Sequence, residues 1–430
     1  MTSSSASGNL LITGARVLGA DGPVDVAIVD GRIASIEPAD GGDQLPGALD
    51  ARGGMLLPGF VECHFHPDKA LTRERLGPVD STSMRESMER GVRIKEGFTR
   101  DDIVQRATRA LAVGVSHGVT TVVAQIDVDT SIGLMGIEAM LEVRRAFAGA
   151  LDLQLVAFPQ QGVVSDPGAE DLLREALRLG ADALGGGPTN EQSPDDYDEH
   201  LRRLFAIAAE FDCLVDVHVD MEEDPQQQTL ASVARATIAA GWHGRVRASH
   251  CCALASYPQA LADETIALVR EAGIQVCLCP MGNLLLGDTA HEPRGRGASR
   301  PKALLAAGVN VALGTDNVND MWFRFGRLDP AELAMISSLA MGMRTDREVL
   351  DAVDMVTTRA AAYAGLTDYG VEPGAVADLV LFEATTIEDV LRGAPGSRKT
   401  IKGGRVVAGV DHHTWQGWPV AAGQRVAPVL

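Results

Sequence analysis

The 430 residues exceed one ordinary domain and suit an α/β barrel of roughly 250–300 residues with a smaller accessory domain. Hydrophobic residues make up 46% and charged residues 22%, so the chain can bury a large core and is not a disordered one. A formal charge of −20 argues against nucleic acid as a partner, because phosphate binding asks for a basic surface.

In chain order, residues 1–8 form a polar tail with neither the basic n-region nor the apolar h-region of a secretory signal. Residues 10–18, 24–29 and 32–36 read as short strands, with Asp30-Gly31 as a tight-hairpin signal. From residue 58 to 366 the texture changes. Short apolar runs at 118–124, 151–158, 213–217, 246–249, 274–278 and 309–313 alternate with longer helical stretches such as 171–179 and 198–210. Repeated strand–helix units imply a parallel sheet, and their number predicts a distorted TIM (β/α)8 barrel. Segments 377–382 and 400–407 return to the texture of the start. Residues 1–57 and 367–430 are therefore expected to form one small β-sandwich from both chain ends. No apolar run approaches the roughly 18–20 residues of a membrane span, and six cysteines in 430 residues make no disulfide framework. The expected location is the cytoplasm, without a membrane partner.

Residues two apart on a strand face the same way, so His64 and His66, arriving after Pro58-Gly59-Phe60 at a strand end, can share one cation. His218 and His250 each end an apolar run, and Asp316 follows another through Gly314-Thr315. Four strand ends thus carry His or Asp, at the rim where barrel enzymes keep their sites. His117, His200, His243, His291, His412 and His413 fall in helices, loops or the tail and read as satisfied or exposed side chains. Cys277 and Cys279 read as small core residues; Cys251 and Cys252, beside His250, could line a pocket or fill the core. Gly185-Gly186-Gly187 lacks a phosphate-loop pattern and reads as a place of close backbone packing. Trp322 and Phe323 could stack on a planar ring or pack the barrel mouth. The His-x-Glu and Pro-Cys-x-x-Cys pattern of the cytidine-type zinc deaminases is absent.

This set resembles the amidohydrolase superfamily, and within it the branch of bacterial cytosine deaminase and isopropylammelide amidohydrolase. The resemblance covers nearly the whole chain and rests on Pro58-Gly-Phe-Val-Glu62, Ala157-Phe-Pro-Gln-Gln-Gly162, Asp216-Val-His-Val-Asp220, Ala248-Ser-His250, Asp316-Asn-Val-Asn-Asp-Met-Trp322 and Gly370-Val-Glu-Pro-Gly-Ala-Val-Ala-Asp-Leu-Val380. It implies hydrolysis of a carbon–nitrogen bond in a small heterocycle by metal-activated water. It implies that His64, His66, His218 and Asp316 ligate one divalent ion, zinc foremost with iron or manganese as alternatives. A single ion is expected because residues 153–160 lack the bridging lysine or glutamate of two-metal members. Asp316 and His250 are the implied catalytic pair, Gln160 the residue facing the substrate ring, and a homo-oligomer the implied assembly.

The chain departs from cytosine deaminase at three positions. Met221 stands where a glutamate protonates the ring nitrogen, Asn317 replaces an aspartate after the metal ligand, and Ala124-Gln125 replaces Thr-His. Met221, Asn317, Gln125 and Trp322 are accordingly expected to line a pocket for a bulkier, substituted ring, with cytosine a poor substrate. The alternative is a cyclic amide or ureide, whose developing charge falls on oxygen. A metal-binding scaffold without catalysis is the third reading.

Overall fold

Alternating buried and half-exposed residues make the first strands, β1 (Leu10–Ala15), β2 (Val24–Val29) and β3 (Arg32–Pro38). Asp30 and Gly31 between the last two have φ of 49° and 77°, the paired positive values of a two-residue hairpin turn. β4 (Leu49–Asp50) runs parallel to β1 and completes a sheet in the order β3-β2-β1-β4. The molecule is known here from a computed structural model, which describes residues 8–39, 47–77, 84–287, 295–393 and 396–411.

After β5 (Leu56–Pro58) the chain enters eight parallel strands. These are β6 (Phe60–Phe65), β7 (Val119–Asp127), β8 (Asp152–Phe158), β9 (Ala183–Gly186), β10 (Leu214–Val219), β11 (Val246–His250), β12 (Gln275–Leu278) and β13 (Val311–Leu313). They hydrogen-bond in sequential order. Every residue of β6, β7, β9 and β11 is buried, as expected of strands covered on both faces. The ring closes between its first and last strands through a bridge from Phe65 to Asp316. There the Asp316 N–H donates to the His64 carbonyl at 2.6 Å, and the His66 N–H donates to the Asp316 carbonyl at 3.0 Å. The fold is a TIM-like barrel, closed at its C-terminal rim by the backbone of the expected site residues.

Connecting helices include Ala169–Leu179 and Tyr197–Phe211, within a residue or two of the periodic stretches. Gly185 and Gly186 are the last two residues of β9. A Cβ at Gly185 would lie 2.8 Å from the Ala157 carbonyl oxygen, so close backbone approach requires glycine there.

β14 (Leu379–Phe382), β15 (Arg398–Lys402) and β16 (Arg405–Val410) then pair antiparallel, with β5 completing the order β16-β15-β14-β5. Ile12, Val26, Ile28 and Ile33 of the first sheet pack with Leu56, Leu379, Leu381 and Ile401 of the second. Both ends of the chain thus share one small sandwich core. Arg398 docks it on the barrel, donating to Asp329 at 2.9 and 2.7 Å and to the His117 carbonyl at 3.1 Å.

Candidate active site

His64 lies inside β6, His66 one residue past its end, His218 in β10 and Asp316 three residues past β13. The fold brings all four together. His218 Nε2 is 3.3 Å from His66 Nε2, and Asp316 Oδ1 is 3.6 Å from His64 Nε2 and 3.5 Å from His66 Nε2. A tetrahedral ion with bonds near 2.1 Å sets its ligand atoms about 3.4 Å apart, a spacing that these distances match. Both ring nitrogens of His64, and Nδ1 of His66 and His218, are buried without a hydrogen-bond partner. Of these, His64 Nε2 faces the cluster. A buried nitrogen left without a partner is costly unless a ligand completes it, and the donor set fits a divalent cation.

The electrostatics agree. Burial holds the His64, His66 and His218 imidazoles well below their usual range, so they are neutral and can ligate. Burial pushes the Asp316 carboxyl up to about 7, against the opposing pull of the Lys69 ammonium. Glu62, one turn of the pleat below His64, accepts from the His64 N–H at 2.9 Å and the Thr315 N–H at 3.0 Å. It thereby ties the two ligand-bearing segments together. His250 ends β11 with φ 70°, and Asp316 has φ 68°. Left-handed backbone is uncommon for such residues and clusters at functional rims.

His250 Nδ1 lies 3.1 Å from Asn283 Oδ1. The amide oxygen can only accept, so Nδ1 carries the proton and Nε2, buried and unpartnered, keeps its lone pair. Burial lowers this imidazole to about 4. His64, His250 and Cys279 make a second group of closely spaced ligand atoms, within 4.8 Å of one another. The thiol is pushed up to about 11 by burial, so it stays protonated.

A cavity of about 530 Å³, its open mouth included, leads to the cluster and is lined by His66, His218, His250 and Asp316. Gln160, Met221, Asn317 and Trp322 stand on its wall. Gln125 does not: it is fully buried, and its side chain lies within reach of Asp216. Phe323 is buried outside the lining, and Cys251, Cys252, Cys277 and Cys279 are fully buried off the wall. His117 and His200 are core-satisfied, bonded to the Arg327 carbonyl and to Glu191. His291, His412 and His413 lie outside the described residues.

Sequence reasoning missed Lys69, Phe158, Asn190, Asn283 and Leu286, which complete the lining. Phe158 stacks on His218 with ring centroids 4.0 Å apart. The one available signal was position, since each follows a barrel strand or ends it. The neighbours of Met221 are committed elsewhere. Asp220 accepts from the Thr229 N–H at 2.7 Å and the Leu230 N–H at 3.2 Å, anchoring the start of the helix Thr229–Ala240. Glu222 accepts from Gln227 at 2.9 Å. Among the described residues lining the cavity, Asp316 is the one carboxylate.

A closed parallel barrel with imidazoles and a carboxylate converging at its C-terminal rim defines a metal-dependent hydrolase. The chain belongs to the amidohydrolase family, whose model matches residues 85–408, and is a hydrolase of carbon–nitrogen bonds other than peptide bonds. It is 32% identical to the pterin deaminase of Rhizobium rhizogenes (strain K84), over 93% of this chain and 92% of the relative. It is 29% identical to the N-isopropylammelide isopropyl amidohydrolase of Pseudomonas sp. (strain ADP), over 93% and 97%. The crystal structure of 5-methylcytosine deaminase from Klebsiella pneumoniae with phosphonocytosine superposes with a TM-score of 0.89 at 30% identity, covering 95% of this chain and all of that one. No helix among the described residues is long and apolar enough to cross a membrane.

Proposed function

We propose that the protein removes ammonia or an alkylamine from a substituted nitrogen heterocycle by hydrolysis. The observation that carries this reading is the convergence of three neutral imidazoles and Asp316 on one point at the base of a ring-sized cavity. His64, His66, His218 and Asp316 would hold one divalent ion, with zinc favoured by the nitrogen-rich donor set. When bound, that ion supplies a Lewis acid that brings the pKa of water from about 16 towards 7.

The chain's own groups do the rest. Asp316 takes the proton of the attacking water and hands it to the departing nitrogen. His250 offers the bare Nε2 as a hydrogen-bond acceptor that aims the same water. Asn317 Nδ2 donates to Asp320 at 2.7 Å, which leaves the Asn317 oxygen free to accept from the leaving N–H. Gln160, Met221 and Trp322 bound the ring. The balance is one water consumed, one C–N bond broken, one C–O bond formed and one amine released.

The lack of a second carboxylate beside Met221 favours a cyclic amide or ureide as the second reading, since its carbonyl oxygen takes the charge without a ring-nitrogen acid. We further infer a homo-oligomer, supported by Phe325 and Leu339, 60% and 73% exposed, and propose the cytoplasm as its compartment. The ends of the chain, up to about residue 57 and from about residue 367, are taken as one unit separate from the barrel.

Metal-loaded protein offered pterin, 5-methylcytosine, N-isopropylammelide and cytosine tests the reading. Amine release is expected from at least one substituted ring, with cytosine below a kcat/KM of about 10⁴ M⁻¹s⁻¹, an ordinary enzyme value. Turnover of hydantoin-type rings alone would replace it with the second reading; cytosine turnover above that value would refute the account of Met221.

A further inference from the structure

We propose that Lys69 is a specificity-determining residue that reads an uncharged oxygen acceptor, an exocyclic carbonyl, on the substrate ring. This deepens the heterocycle reading above and rests on it for the pose. Lys69 is 1% exposed, three residues beyond His66, and its side chain lines the cavity beside Gln160 and Phe158. Nζ donates to Asp127 Oδ1 at 2.7 Å and to Gln160 Oε1 at 2.8 Å. An ammonium has three donors. The third has no acceptor among the described residues, while the group forms part of the cavity wall.

The neighbourhood decides what that donor is for. Lys95 also reaches Asp127, at 2.6 Å, and Asp129, at 2.7 Å. Two ammoniums therefore face two carboxylates, and the Asp68 carboxyl, which accepts from the Asp127 N–H at 2.9 Å, stands alongside. No surplus positive charge remains to attract an anion. A neutral oxygen takes the free N–H without adding an uncompensated charge to a buried site.

The wall continues the pattern. Lysine only donates, so the Gln160 atom facing it is oxygen, and the Gln160 amide nitrogen is turned away with its own donors. Asn283 Nδ2 is buried, unpartnered and on the same wall, because its oxygen serves His250. Asn190 spends its amide nitrogen on the Gln160 carbonyl at 3.3 Å, leaving its buried oxygen unpartnered. A ring bearing an oxo group towards Lys69 and Gln160 and an N–H towards Asn190 satisfies all three.

The test compares lactam rings with their oxygen-free parents, 5-methylcytosine with 4-amino-5-methylpyrimidine and pterin with 2-aminopteridine. The parents also lack the ring N–H offered to Asn190, so the share that belongs to the oxygen at Lys69 is read from the change between wild type and variant. Dissociation constants are measured by calorimetry on full-length, metal-loaded protein carrying Asp316→Asn, in which turnover is suppressed, with Lys69 intact as the wild-type reference, so the ring is not consumed during the titration. The wild type should prefer the oxo ring by roughly 10- to 100-fold, the worth of one hydrogen bond to a charged donor. In Lys69→Met that preference should fall by about tenfold or more, through weaker binding of the oxo ring rather than tighter binding of its parent. Lys69→Met combined with Asp127→Asn removes the donor together with the charge it balanced and carries the same expectation should the single variant fail to fold. A preference that survives undiminished in the variants, an equal loss for both rings, or a wild type without preference or without affinity for either oxo ring overturns the proposal. Lys69-dependent preference without turnover of any ring would fault the proposed reaction alone. Turnover without that preference would fault Lys69 alone.

Discussion

Replacing Glu191 by alanine should loosen the site from behind. Its buried carboxylate accepts from the Val163 N–H at 2.6 Å, the Val164 N–H at 3.0 Å and the Ser165 N–H at 2.8 Å, and pairs with His200 Nδ1 at 2.5 Å. It buckles the loop that follows Gln160 to the turn that carries Asn190, both on the cavity wall. Those bonds hold its carboxyl at about 2 against an ordinary 4.5, overcoming the opposing effect of burial. A depressed carboxyl stabilises the fold fully above the unfolded value and loses that contribution as pH falls through the folded one. The difference corresponds to about 3 kcal/mol near neutral pH, of which about 2 kcal/mol is gone by pH 3. Glu191→Ala orphans three N–H groups as well, so the variant should be less stable by about 3–5 kcal/mol near pH 6. Urea denaturation of both forms near pH 6 and near pH 3 reads this directly. The gap between them should narrow by about 2 kcal/mol at the lower pH. A gap below about 1 kcal/mol near pH 6, or one that does not narrow, refutes the reasoning.

Two further outcomes follow from the site. Asn283→Ala frees the His250 ring to adopt the other tautomer, and kcat should fall roughly 10- to 100-fold with metal content by elemental analysis unchanged. Asp316→Asn removes the proton carrier, and kcat should fall about 10²–10⁴-fold even in preparations reloaded with metal.

The four clustered residues were legible because their chemistry is written locally. A His-x-His pair at a strand end puts two imidazoles on one face, and single His or Asp residues closing other apolar runs need only the barrel to bring them together. Lys69 was not legible. Nothing in Pro67-Asp68-Lys69 distinguishes a buried ammonium from an exposed one, and only the packing of β6 against β7 and β8 sets Nζ between Asp127 and Gln160. Gln125 shows the converse. It shares a face of β7 with Asp127, two residues on, but Asp127 meets the rim while Gln125 lies one layer deeper, near Asp216. Strand periodicity gives the face, and the tilt of the barrel gives the depth. Asn283 and Leu286 lie on the short helix Pro280–Leu286 after β12, where their reach depends on the helix direction rather than on any sequence period.

The central claim is that His64, His66, His218 and Asp316 share one divalent ion needed for turnover. Protein stripped with a chelator, reconstituted with cobalt(II) and followed by its visible spectrum and elemental analysis tests it most directly. One equivalent per chain, a four-coordinate spectrum and recovery of activity in step with occupancy are expected, with binding lost in His218→Ala. Full activity in the stripped protein, or undiminished binding in that variant, would contradict the account.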